Sequence, residues 1–155
     1  MVKYIKGNIL NVTEGIIVQQ VNCMGVMGAG LAKQIRDKWP VIYDSFIARV
    51  YNTANKKELL GKTLFTNVEN NLSVASIFGQ YYYGRQAKFT NYTALFKGLN
   101  FVAEISATNN TTMYIPKGLG CGLAGGNWDF VEAYIQDLDL FLDKKIDIII
   151  VEKSN

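Results

Sequence analysis

A chain of 155 residues, 49% hydrophobic and 19% charged, has the length of one domain with a buried core and not the composition of a disordered segment. With no histidine and only two cysteines, it cannot form Ser-His-Asp or Cys-His nucleophile pairs or a four-ligand zinc site, so any acid–base work falls to carboxylates, Lys, Tyr or Cys. The net charge of +3, from 16 basic and 13 acidic residues, is spread too thinly for a dedicated nucleic-acid footprint.

In chain order, Met1 to Ile5 alternates and predicts a first strand. This start is too polar for a signal peptide. Ile16 to Val21 (IIVQQV) is β-branched and runs into glycines, which predicts a buried strand. Leu31 to Trp39 has helical spacing, Pro40 breaks it, and Val41 to Tyr51 predicts a second helix. Lys62 to Val68 and Leu72 to Phe78 predict two strands joined by a turn at Glu69-Asn70-Asn71. Thr90 to Ala107 predicts a helix with Thr90 as its N-cap. Thr111 to Ile115 predicts a strand, Trp128 to Leu142 an amphipathic helix, and Ile146 to Val151 a last buried strand. That final apolar run carries Asp147 and is too short to span a bilayer. The reading is one α/β domain over residues 1–155, cytoplasmic, with reduced thiols, a mixed sheet and helices on both faces.

Eight of the 14 glycines fall in two short stretches. Gly25, Gly28 and Gly30 lie in NCMGVMGAGL, residues 22–31. Gly118, Gly120, Gly122, Gly125 and Gly126 lie in KGLGCGLAGGNW, residues 117–128. Each stretch follows a predicted buried strand and precedes a predicted helix. Glycine lets backbone approach a ligand, and N–H groups beside a helix N-terminus attract anions. Two such loops over one sheet could grip a diphosphate; the alternative is that they only make tight turns. The spacing Gly25-x-x-Gly28-x-Gly30 is not a dinucleotide fingerprint. Asn22, at a strand end, suits a ribose hydroxyl pair or a turn cap. Tyr81-Tyr82-Tyr83-Gly84 could stack on a base or pack against the core.

Taken together, Lys6-Gly7-Asn8-Ile9-Leu10, QVNCMGVMGAGLA (20–32) and IPKGLGCGLAGGNW (115–128) resemble the macro domain family. The resemblance covers nearly the whole chain. It is nearest to the small phage, bacterial and eukaryotic members that process ADP-ribose 1''-phosphate or remove ADP-ribose from macromolecules. It implies a three-layer αβα sandwich with a mixed central sheet, and ADP-ribose or ADP-ribose 1''-phosphate as ligand without a cofactor, metal or membrane partner. Asn8 and Ile9 would lie near the adenine, and Val21 and Asn22 near the distal ribose. Gly28, Ala29, Gly30 and Leu31 would wrap the diphosphate together with Gly118, Leu119, Gly120, Cys121, Gly122, Leu123 and Ala124.

The catalytic positions depart from the family pattern. Gln19 stands where phosphatase members carry His, and Ala124 where glycohydrolase members carry Asp. No Lys occurs between Phe78 and Gln80, Asn127 replaces a frequent Asp, and Gly118 is an extra residue. Two classes follow. One is an enzyme in which Asn22, Gln19 or Asn127 positions a water for attack on the terminal phosphate of ADP-ribose 1''-phosphate, with Asp129 as a fallback acid–base. The other is a binder that sequesters or reads ADP-ribose.

Overall fold

The computed structural model describes residues 1–84, 87–143 and 145–154. Six strands form one sheet: β1 (Val2–Gly7), β2 (Gly15–Asn22), β3 (Thr63–Glu69), β4 (Leu72–Gln80), β5 (Thr112–Pro116) and β6 (Asp147–Lys153). Their spatial order is β1-β6-β5-β2-β4-β3. All neighbours are parallel except β3, which pairs antiparallel with β4. Parallel strands need crossover connections, and these supply the helices that cover both faces.

Alternation along β2 divides the core. Ile16 and Val18 join Ala75, Ile77, Met113 and Ile148 beneath α3 (Tyr92–Asn109) and α4 (Trp128–Phe141). Ile17 and Val21 join Val74 and Phe78 beneath α1 (Gly30–Lys38) and α2 (Pro40–Tyr51). The expected three-layer sandwich with a mixed sheet is therefore the observed one. Pro40 both ends α1 and begins α2, where a missing N–H costs nothing. Between the two helices Trp39 is buried, its indole N–H donating to Glu69 Oε2 at 2.9 Å. On the other face Gly98 lets α3 close on Ile77, which a β-carbon there would overlap.

Several boundaries differ from expectation. β1 runs to Gly7, because pairing with β6 continues to Gly7↔Lys153. Glu69 belongs to β3 across a register shift, leaving Asn70 and Asn71 as the turn. The N-cap of α3 is Asn91, not Thr90: Asn91 Oδ1 accepts from Ala94 N at 3.0 Å. The Thr90 hydroxyl points instead to Gly120. Two short 3-10 turns, Ile9–Asn11 and Lys56–Leu59, lack the helical repeat that would reveal them in sequence.

Candidate functional site

A cleft of about 460 Å³ lies over the carboxyl ends of β2, β4 and β5, where ligands of open α/β sheets bind. Gln19, Gln20, Val21 and Asn22 form its floor. One wall runs from Val26 to Ala32, and the facing wall from Pro116 to Leu119 with Gly120, Gly122, Leu123 and Ala124. Gln80, Tyr83 and Gly84 complete the rim. The two glycine stretches thus face one space. Among the described residues of the lining, Lys117 is the one that carries a charge, and none is a carboxylate.

The first wall is shaped by Asn22. Its Oδ1 accepts from Met24 N at 3.0 Å and Val26 N at 3.2 Å, and its Nδ2 donates to Val26 O at 2.8 Å. The amide is committed to its own loop, so its first role is to fix the turn. Beyond that turn, the N–H groups of Gly28, Ala29, Gly30, Leu31 and Ala32 meet no acceptor among the described residues. The first main-chain bond of α1 is Lys33 N to Ala29 O at 3.3 Å. Ala29 has no side chain able to cap, and the first turn holds no acidic residue. The positive end of the helix dipole therefore opens unscreened onto the cleft.

The second wall has the same property. Leu119 N donates to Pro116 O, Cys121 N to Gly118 O and Gly125 N to Gly122 O. The N–H groups of Gly118, Gly120, Gly122, Leu123 and Ala124 are left without an acceptor among the described residues, and all five residues line the cleft. Cys121, whose N–H is used, does not line it. Gly126 has to lack a side chain, since a β-carbon there would sit 2.5 Å from Gly120 O.

The floor is polar and buried. Gln19 is 2% exposed, its Nε2 donates to Ser76 Oγ at 2.9 Å, and its Oε1 has no partner among the described residues. Gln20 sits on the opposite face of β2 and bonds Gln80 and Thr90. Its part was not legible in the sequence, because both of its partners lie 60 or more residues away.

Five proposed site residues lie off the lining. Asn8 caps the 3-10 turn Ile9–Asn11, its Oδ1 accepting from Leu10 N at 3.0 Å, and Ile9 is core. Asn127 is the N-cap of α4, accepting from Phe130 N at 3.4 Å, while its own N–H donates to Tyr92 Oη. Cys121 Sγ turns to Leu119 O at 3.2 Å. Asp129 is exposed in the first turn of α4. Of the tyrosines, Tyr83 lines the cleft and Tyr82 stacks on it, with centroids 4.8 Å apart. Cys23 is fully buried, and burial pushes both thiols up to about 11. Neither is a nucleophile at neutral pH. The described residues hold no cluster of His, Cys, Asp or Glu suited to a metal, and no helix long and apolar enough to cross a membrane.

No family model matches the sequence. An uncharacterized 17.5 kDa protein from the tk-vs intergenic region of Enterobacteria phage T4 is 31% identical over 170 residues, covering 98% of this chain and 96% of its own. This chain belongs to that protein's family. Among solved structures, the macrodomain of Mycobacterium tuberculosis DarG superposes with a TM-score of 0.81 at 21% identity, covering 97% of both chains. A macrodomain protein from Streptomyces coelicolor gives 0.78 at 25% identity, covering 97% of this chain and 98% of that one. Thermosipho africanus DarTG, solved in complex with ADP-ribose, gives 0.68 at 22% identity over 90% of this chain and 38% of that one. The fold of the T4 protein's relative described here is the macrodomain fold.

Proposed function

We propose that the cleft binds ADP-ribose, with the diphosphate between the two glycine walls. One observation carries this reading: ten main-chain N–H groups, five on each wall, lack acceptors among the described residues and belong to cleft-lining residues. Uncompensated donors at a helix N-terminus and in glycine loops favour an anion. The described residues of the lining, with one Lys and no carboxylate, offer such an anion no repulsion. The cleft volume suits a nucleotide-sized ligand. A neighbour with the same fold was solved with ADP-ribose, which supports the choice among diphosphates. Titration calorimetry tests it. Saturable heat with ADP-ribose and a weaker response to AMP are expected; no heat at sub-millimolar ADP-ribose on folded protein removes the reading.

A second reading, hydrolysis of ADP-ribose 1''-phosphate, rests on Gln19 alone. The residue lines the cleft floor, and its Oε1 is buried without a partner among the described residues, so it would accept from a water admitted with the ligand. That water would attack phosphorus, and the bond to the ribose oxygen would break with its proton passing to the departing oxygen through the phosphate itself. Asn22 contributes by holding the loop, and Asn127 is spent on α4. Phosphate release from ADP-ribose 1''-phosphate decides the matter: turnover equal to that of Gln19→Leu leaves a binder. Removal of ADP-ribose from macromolecules has less support, because the described residues of the lining offer neither a carboxylate nor a lysine free of a partner: Lys117 Nζ lies 3.3 Å from Glu152 Oε1.

A further inference from the structure

Three side chains and two main-chain carbonyls form a hydrogen-bonded chain between the Tyr82–Gly84 rim and the second glycine wall. Gln80 Nε2 donates to Tyr82 O at 2.9 Å. Gln20 Nε2 donates to Gln80 Oε1 at 2.8 Å and to Thr90 Oγ1 at 3.0 Å. The Thr90 hydroxyl donates to Gly120 O at 2.5 Å. Proton order is dictated throughout. Gly120 O is a carbonyl and can only accept, so the single hydroxyl proton of Thr90 is committed to it. The oxygen of Thr90 is then left to accept, which turns the amino group of Gln20 towards it. Tyr82 O closes the other end in the same way.

This chain acts on the part of the cleft that carries the diphosphate donors. The Gly120 carbonyl also accepts from Gly126 N at 2.9 Å, so it is held inward from two sides. Gly120 itself has φ +74°, and a β-carbon there would come within 3.0 Å of Gln20 Oε1. A β-carbon at Gly79 would overlap the same oxygen. Gln20 therefore fills a slot that two glycines leave open, and its Oε1 is buried there without a partner. Thr90 is 5% exposed and does not line the cleft. Its backbone is fixed too, since Phe89 N and Thr90 N both donate to Ala124 O, at 2.7 and 3.1 Å.

We propose that Thr90, backed by Gln20, is a positioning residue that holds the Gly118–Ala124 wall in its anion-receiving shape. The proposal rests on the ADP-ribose reading and adds a residue outside the cleft to it. With the hydroxyl in place, Gly120 O stays inward and the N–H groups of Gly122, Leu123 and Ala124 remain turned to the ligand. Without it, Gly126 N alone holds that carbonyl, and the wall loses part of its preorganisation.

Calorimetry with ADP-ribose on wild type, Thr90→Val and Thr90→Ser tests this, with thermal melting of each alongside. Thr90→Val keeps the shape and removes the donor; it is expected to bind at least tenfold more weakly while still melting cooperatively. Thr90→Ser restores the hydroxyl and is expected to bind within threefold of wild type, a rescue that a merely packing role would not give. Wild-type binding with Thr90→Val within twofold of it overturns the proposal but leaves the ADP-ribose reading standing. A Thr90→Ser loss as large as that of Thr90→Val overturns it as well. Absence of wild-type binding overturns both. Should Thr90→Val not fold, Gln20→Met is measured instead, and wild-type affinity there overturns the proposal.

Discussion

Asn22 holds Val26 by both ends of one peptide-like clasp: its Nδ2 donates to Val26 O at 2.8 Å and its Oδ1 accepts from Val26 N at 3.2 Å. This closes the turn that carries the chain from β2 into the N-terminus of α1. The clasp explains why an amide stands there, since a carboxylate offers no donor and a hydroxyl cannot span both groups. Asn22→Ala should lose about 2–3 kcal/mol of stability, counting three largely buried hydrogen bonds at about 1 kcal/mol each. Asn22→Asp should lose at least as much, because a carboxylate oxygen then faces Val26 O. Urea denaturation of both variants measures this, and an Asp variant as stable as wild type would show that the clasp does not form.

The N-terminus of α1 offers a substitution whose two effects have opposite signs. Ala29 has extended backbone (φ −151°, ψ 162°) and supplies no side-chain cap. Asp is a strong N-cap and complements the helix dipole. Ala29→Asp should therefore raise stability by about 0.5–1 kcal/mol. The same carboxylate would occupy the N–H groups of Leu31 and Ala32 and place a negative charge in the cleft, so ADP-ribose affinity should fall at least tenfold. Denaturation and calorimetry on one sample check both. Affinity unchanged by Asp would mean that the α1 terminus does not receive the ligand's charge.

The order of elements is legible in the sequence because each buried strand is a short apolar or β-branched run, and each helix shows its apolar stripe. The two glycine stretches are equally legible, since glycine density stands out locally and each sits between a strand and a helix. Contacts across sequence distance are not. Thr90 reads as a cap because Thr before an amphipathic run is a capping signal; only the fold brings Gly120, 30 residues away, close enough to claim its hydroxyl. Asn91 then takes the cap, one residue on. Asn127 reads as a site residue because the resemblance puts it where relatives often carry Asp, yet that same position is the N-cap of α4. Gln20 carries no local signal, as its meaning lies in Gln80, Thr90 and the two glycines around it.

Packing of α3 on the sheet predicts a coupling between Gly98 and Ile77. In a helix interior Gly→Ala ordinarily gains about 1 kcal/mol. Here the added methyl would collide with Ile77, including Cγ1 at 2.9 Å, and overpacking costs about 1–3 kcal/mol. Gly98→Ala should destabilise the protein. In an Ile77→Ala background the obstacle is gone, and the same change should stabilise it. A double-mutant cycle from chemical denaturation reads the interaction energy. Additive effects would mean that α3 has room to move away from β4.

The pH profile should be flat through neutrality and fall in alkali. No histidine is present, so no ordinary imidazole titrates between pH 5.5 and 8.5. Burial pushes the Cys23 and Cys121 thiols up from about 9 to about 11. A raised folded-state value means that the folded protein holds these protons more tightly than the unfolded chain does. The stability tied to them is complete below about pH 9 and is lost as pH climbs towards 11. Tyr4 and Tyr134, also raised by burial, add to the loss in the same direction at the upper end. Urea midpoints at half-unit pH steps should hold steady from 6 to 8.5 and decline above 9. Cys23→Ala with Cys121→Ala should flatten the portion between 9 and 10, even though the absolute stability drops from the lost packing of Cys23. An unchanged slope in that double variant would assign the alkaline loss to Tyr4 and Tyr134 instead.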